Sequence, residues 1–259
     1  MAKVYMIGAM KGGVGKSVSV FNLAYSLQKQ GKRVLAVDFD PQSNLTTCFG
    51  SEEEADVTIG DLMMSVLEEE ELPDRSEYVW ERNGVDFIPA SINLSAVEAK
   101  LRLEMGTERM LSVILEQLRD DYDYVLIDTA PSLGALNINA MVVADEVIVA
   151  VNPQLLAMKG LQDFLKTVRK IKSRINEKLD VAGILLTMCD ARTNLCRTIT
   201  EQVEESFQGQ IRIFESKIPS TVKVGESVYY SEPLLEYAPN SAACRAYEKL
   251  AGEVIAYEG

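Results

Sequence analysis

The stretch that decides the fold runs from Val4 to Ser17, VYMIGAMKGGVGKS. Its first part, Val4–Ala9, is nearly all apolar, the pattern of a strand buried on both faces. Lys11-Gly12-Gly13-Val14-Gly15-Lys16-Ser17 follows and opens a helix-length segment, Ser17–Gln30, that stops at Gly31. A glycine-rich turn between strand and helix is the setting of a phosphate-binding loop. Glycines let successive backbone N–H groups point inward, and the new helix adds its positive N-terminal end. In such a loop Lys16 reaches the β- and γ-phosphates and the Ser17 hydroxyl holds Mg²⁺. The plain pattern G-x-x-x-x-G-K-[ST] is not met: Met10 stands where its first Gly belongs, and a second lysine, Lys11, precedes the glycines.

Two segments downstream answer to this loop. Val34–Val37 is an apolar run that ends in Asp38-Phe39-Asp40, and Tyr124–Ile127 is another that ends in Asp128. Ligands of open parallel sheets bind at the carboxyl ends of strands. Asp40 suits the orientation of an attacking water, because an ordinary carboxylate is a poor base for water and phosphoryl transfer mainly demands positioning. Asp128 suits support of Mg²⁺ through its waters.

Further apolar runs lie at Val85–Ile88, Val147–Val151 and Val181–Thr187, with helix-length segments between most of them. Leu161, Phe164, Leu165, Val168, Ile171 and Ile175 recur at helical spacing within 155–178, and Ala242–Ile255 reads as a closing helix. The expected fold is α/β: a three-layer, doubly wound, mostly parallel sheet with helices on both faces. One domain is expected over 1–259, with an exposed, acidic, variable excursion around a short helix at about 51–83, where Glu52–Glu54 and Glu68–Glu71 cluster.

Composition narrows the chemistry. The chain has no His, which excludes imidazole bases, Ser–His–Asp and Cys–His catalysis and His-ligated zinc. Four Cys without a CxxC pair argue against zinc ribbons and redox motifs. A net charge of −13 leaves nucleic acid only a local basic patch. MAKVYMIGAMKGG lacks the apolar core of a signal peptide, and no uncharged apolar run is long enough to span a bilayer, so a cytoplasmic protein is expected.

From KGGVGKS through VDFDPQSNLT, YDYVLIDTAPSLGALNINAM and GILLTMCDARTNL to IPSTVKVGES, the chain resembles the ParA/MinD family of deviant-Walker ATPases, in its small Soj-like branch. The resemblance implies a P-loop fold that binds ATP and Mg²⁺ and forms a sandwich homodimer when ATP-bound. It implies that Lys11 crosses to the partner's nucleotide and that Gly12 lets the two sites approach closely. Gly13, Val14, Gly15, Lys16, Ser17 and Val18 then cradle the phosphates, Asp40 serves hydrolysis, Ser17, Asp40 and Asp128 serve the metal, and Pro219 and Thr221 line the adenine pocket. Val18 replaces a frequent Thr and loses a side-chain hydrogen bond worth about 1 kcal/mol.

For partners, the resemblance implies non-specific DNA and a ParB-like adaptor that stimulates slow hydrolysis, with the ATP form on the nucleoid. Arg192 matches one DNA-binding arginine, Lys223 keeps a charge where relatives often carry Arg, and Ser220 replaces another arginine. Residues 159–178 hold seven basic and two acidic side chains, a local basic surface. A ParA-like ATPase positioning a non-DNA cargo has the same nucleotide site and stays open as an alternative. A MinD-like membrane ATPase fits less well, because the segment 245–259 is acidic on balance and interrupted by Gly252. No membrane partner is expected.

Overall fold

The computed structural model describes residues 1–50, 55–154, 157–190 and 192–257. Seven strands form one sheet: β1 (Lys3–Gly8), β2 (Val34–Phe39), β3 (Trp80–Arg82), β4 (Val85–Ile88), β5 (Tyr124–Thr129), β6 (Glu146–Val151) and β7 (Asp180–Leu186). Their order is β3-β4-β2-β5-β1-β6-β7, parallel throughout except for the antiparallel edge pair β3–β4. The helices are α1 (Lys16–Lys29), α2 (Asn44–Phe49), α3 (Ile59–Leu67), α4 (Arg75–Tyr78), α5 (Leu94–Leu101) and α6 (Met110–Glu116). After β5 come α7 (Ala135–Val143), α8 (Ala157–Arg174), α9 (Asn194–Phe207), α10 (Val222–Tyr229), α11 (Leu234–Tyr237) and α12 (Ala242–Tyr257).

Strand side chains alternate between two cores. Val4 and Met6, Leu35 and Val37, Val125 and Ile127 pack with α3, α5, α6, α7 and α8. Tyr5 and Ile7, Val34 and Ala36, Tyr124 and Leu126 pack with α1, α2 and α12 on the other face. This is the expected three-layer, doubly wound α/β fold. Because β5 lies between β1 and β2, the carboxyl ends of these three strands converge, and the loop from β1 into α1 sits over them.

The stretch 51–83 is less of an excursion than its acidity suggests. Glu68–Glu71 are exposed, but Ile59, Leu62 and Met63 of α3 and Tyr78 of α4 are buried in the first core. Thr58 and Asp61 form a reciprocal capping box, and positions 59, 62 and 63 give α3 one apolar face. Residues 51–54, with Glu52–Glu54, lie outside the described residues. So do 155 and 156 of the helix expected over 155–178, which is seen as Ala157–Arg174.

Among the described residues no helix is long and apolar enough to cross a membrane. The apolar face of α12 (Ala243, Cys244, Tyr247, Leu250, Ala251, Val254) is buried against the α1 side of the sheet.

Candidate nucleotide site

The 11–17 segment is the turn its glycines predict. Gly13 and Gly15 have φ of 69° and 77°, a left-handed backbone that side chains disfavour. Gly12 has ordinary φ, and a Cβ there would meet only Pro131 at 3.6 Å, so neither backbone nor packing within the chain demands glycine. Thr187, at the end of β7, donates from Oγ1 to the Val14 carbonyl at 2.7 Å and pins the loop to the sheet. Gly15 caps α1, and no acidic residue occupies the first turn of that helix to compete with an incoming anion. Lys16 is buried at the first helical position. Lys11 is exposed and donates to Gln154 Oε1 at 3.1 Å.

Three carboxylates gather beneath the loop. Asp38 on β2 pairs in register with Asp128 on β5, and both are fully buried. Asp38 is hydrogen-bonded: Thr46 donates to its Oδ2 from N and from Oγ1, each at 2.8 Å, and the Asp40 amide donates to its Oδ1 at 3.2 Å. Asp128 differs. Neither of its oxygens has a hydrogen bond of normal geometry, although the Ser17 hydroxyl and the Lys16 ammonium stand close enough to favour its charged form. Burial, then the Asp38 charge, push the Asp128 carboxyl well above the usual carboxylate range. Burial also raises Asp38, against the Thr46 hydrogen bonds. Asp40 is 4% exposed and accepts from the Gln42 amide at 3.0 Å.

A buried, unpartnered carboxylate beside a hydroxyl is the half of a cation site that a protein supplies. Mg²⁺ takes one or two carboxylates and completes its shell with waters and phosphate oxygens. Consistent with that division, the described residues hold no group of three or more His, Cys, Asp or Glu able to bind a metal alone. Ser17 and Asp128 therefore fit a magnesium ion that arrives with phosphate.

Beside the loop opens a mainly apolar cleft of about 350 Å³, whose lining includes Gly15, Val18, Pro219, Thr221, Val224 and Tyr247. The fold thus brings Pro219 and Thr221 into one cleft with Gly15 and Val18 of the phosphate loop. Val224 and Tyr247 are additions; nothing in their local sequence marks them. Thr221 also caps α10, its hydroxyl accepting from the Lys223 amide at 3.3 Å. A larger open cleft, about 700 Å³, is lined by Glu201, Glu204, Glu205 and Glu215 together with Arg212 and Lys217.

The basic residues singled out in the sequence are all on the surface, but several are already paired. Arg192 makes a bidentate bond to Asp190, 2.9 Å from each nitrogen used, and this holds the Asp190 carboxyl down at about 2. Lys223 bonds Glu226 at 2.8 Å and lies 5.5 Å from the Tyr237 ring centre. Lys217 bonds Glu204 at 2.7 Å. On α8, Lys159, Arg169, Lys170 and Arg174 are exposed and make no ion pair among the described residues.

A doubly wound sheet with a glycine loop opening α1 over a buried strand-end aspartate defines a P-loop nucleoside triphosphatase. A family model described as "AAA domain" matches residues 2–181. The sporulation initiation inhibitor protein Soj of Bacillus subtilis is 38% identical over 258 residues, covering 99% of each chain. The chromosome-partitioning ATPase Soj of Treponema pallidum is 37% identical, covering 100% of this chain and 99% of the relative. The chain belongs to the ParA/MinD family of deviant-Walker ATPases, in its Soj-like branch. Among solved structures, cobyrinic acid a,c-diamide synthase of Mycobacterium smegmatis with bound ATP analog and magnesium superposes with a TM-score of 0.83. It is 28% identical and covers 100% of this chain and 96% of that one.

Proposed function

We propose that the chain is an ATP-driven partition switch, acting over 1–259 as one unit. It is an ATPase that uses ATP and Mg²⁺. The observation that carries the reading is the unpartnered Asp128 beneath a loop whose outermost lysine faces solvent. Lys16 and the amides of Gly13 to Val18 hold the phosphates, Ser17 and Asp128 hold magnesium, and the cleft beside Pro219 and Thr221 takes the base. The ion supplies charge neutralisation at the phosphates. Asp40, tethered by the Gln42 amide, orients the attacking water.

Lys11 and Gly12 act between copies. Two facing nucleotides concentrate negative charge, and a lysine reaching across offsets it only when ATP is present, so ATP favours the homodimer. An unconstrained glycine beside an exposed lysine supports this, because its smallness serves a contact outside the chain. No arginine stands in the described site in the manner of an arginine finger, so basal hydrolysis is slow and a ParB-like adaptor stimulates it.

The dimer binds non-specific DNA through phosphate contacts. The unpaired cations of α8 supply most of the field, and Arg192 and Lys223 add to it after exchanging carboxylates for phosphates. The protein is cytoplasmic and nucleoid-associated in its ATP form. The apolar face of α12 packs on the α1 side of the sheet, and no membrane partner is proposed.

One observation favours a second reading, the positioning of a non-DNA cargo: Arg192, Lys217 and Lys223 are each tied to a carboxylate. Anisotropy titration of duplex DNA with ATP, ADP or no nucleotide, over a salt series and with Asp40→Ala to hold the ATP state, separates the two. ATP-only, salt-sensitive binding is expected. Dimerisation with ATP but no DNA binding would leave the cargo reading.

A further inference from the structure

Asn137 lies in the first turn of α7 and is fully buried. Its side chain serves the loop that leaves β5, residues 130–134. The Nδ2 group donates to the Ala130 carbonyl at 2.9 Å and also to the Ser132 carbonyl. Two further bonds tighten the same turn: the Ser132 amide donates to the Ala130 carbonyl at 2.8 Å, and the Gly134 amide to Ser132 Oγ at 3.3 Å. The shape of this loop is therefore set from α7 by one side-chain amide.

The loop starts two residues after Asp128 and reaches the phosphate loop. Pro131 is the group that a Cβ on Gly12 would meet, at 3.6 Å. It thus spans the space between the magnesium-side carboxylate and the two residues, Lys11 and Gly12, that face outward. Asn137 has one more feature: its Oδ1 is buried and has no hydrogen-bond partner. Buried acceptors are almost always paired. An amide with both hydrogens used and its oxygen idle holds the loop in one arrangement while leaving a site for a second, in which a loop N–H reaches Oδ1.

We propose that Asn137 is a positioning residue for ATP hydrolysis, fixing the Ala130–Gly134 loop against the phosphate loop while taking no part in nucleotide binding itself. The proposal rests on the ATPase reading above. A packing role alone requires only the volume of the side chain. A positioning role requires its two donors.

The test uses the full chain and the variants Asn137→Ala and Asn137→Asp. The second keeps the shape and removes the donors. Single-turnover kcat, MgADP affinity, the melting temperature and hydrogen exchange of 130–134 are measured together. The expected result is a fall in kcat of about 10-fold or more in both variants, with Asp at least as impaired as Ala. MgADP affinity stays within about twofold, and exchange rises in 130–134 but not in β1 or β5.

A kcat near the parent value in Asn137→Ala overturns the proposal. So does a milder effect in Asp than in Ala, or a joint fall of kcat, MgADP affinity and melting temperature. Should both variants fail to fold, Asn137→Ser retains one donor and is read by the same split. A parent that binds MgATP and hydrolyses none overturns the ATPase reading itself, whereas a hydrolysing parent with an unaffected Asn137→Ala overturns only the role of Asn137.

Discussion

Asp38 and Asp128 occupy paired positions on neighbouring parallel strands, both fully buried on the face that carries α1. Asp38 is satisfied by Thr46 and the Asp40 amide; Asp128 has no such partner. In the proposed function the second of these awaits the magnesium ion. Burial raises the pKa of both, and the Asp38 charge raises that of Asp128 further.

This pairing has a pH signature. A carboxyl whose folded pKa is raised binds its proton more tightly folded than unfolded. Stability from it therefore falls as pH rises from the ordinary value near 4 through the raised folded value. Asp128→Asn is expected to raise the melting temperature of nucleotide-free protein at pH 8 by several degrees, about 2–4 °C per kcal/mol recovered. The gain shrinks toward pH 5, and the variant loses magnesium-dependent hydrolysis. Scanning calorimetry at both pH values checks it; a destabilised variant at pH 8 would contradict the account.

The glycines of the phosphate loop are expected to separate by role. Gly13→Ala and Gly15→Ala force Cβ into a left-handed backbone at a cost of about 1–2 kcal/mol each, and nucleotide affinity falls with stability. Gly12→Ala keeps both, since its Cβ has room within the chain. In an Asp40→Ala background it weakens ATP-dependent self-association instead. Light scattering beside nucleotide titration distinguishes these outcomes.

Thr187→Val removes the hydroxyl that holds the Val14 carbonyl while keeping the volume. The expected loss is about 1–3 kcal/mol in stability, because a buried carbonyl is left short of a donor. A fall in nucleotide affinity accompanies it, since the loop is no longer anchored to β7. Denaturant unfolding and nucleotide titration read the two effects separately.

For DNA, the ion-pair pattern gives a ranking. Removing a phosphate-contacting cation lowers the salt slope of log K by about 0.9. Arg169→Ala and Lys170→Ala are expected to approach that value. Arg192→Ala is expected to change it less, because Arg192 must first exchange its bidentate Asp190 partner for phosphate. Equal slopes for all three variants would remove the reason for assigning most of the field to α8.

Much of this was written in local pattern. Six strands were legible because a strand covered on both faces is apolar along its whole length. β3 was missed because it is three residues long and half exposed at the sheet edge. Its signal was nonetheless present: Asn83-Gly84, both at positive φ, is the two-residue turn that joins it to β4. A short helix was expected within 51–83, but the burial of α3 was hidden by the acidic residues that follow it, although Thr58 and Asp61 announce its start.

The phosphate loop and Asp128 were legible for the same reason as the strands they terminate. The cleft beside the loop was not, because it joins residues near 15 to residues near 220, and only resemblance connected them. The division of labour between Asp38 and Asp128 depends on cross-strand register and on Thr46, which local sequence does not reveal. Glu204, which engages Lys217, was equally out of sight, whereas Asp190 and Glu226 stand two and three residues from Arg192 and Lys223 and were within local reach.

The packing of α12 against α1 also bears on how the nucleotide site is completed. Tyr247 reaches Ser19 at 3.2 Å across 228 residues of sequence, and Lys29 reaches Glu248. The helix that the phosphate loop opens is therefore covered in part by a helix more than 200 positions later in the chain. Without α12 the Ser19 hydroxyl and the Lys29 ammonium lose these partners. The cleft beside the phosphate loop, which Tyr247 also lines, is therefore completed by segments far apart in sequence.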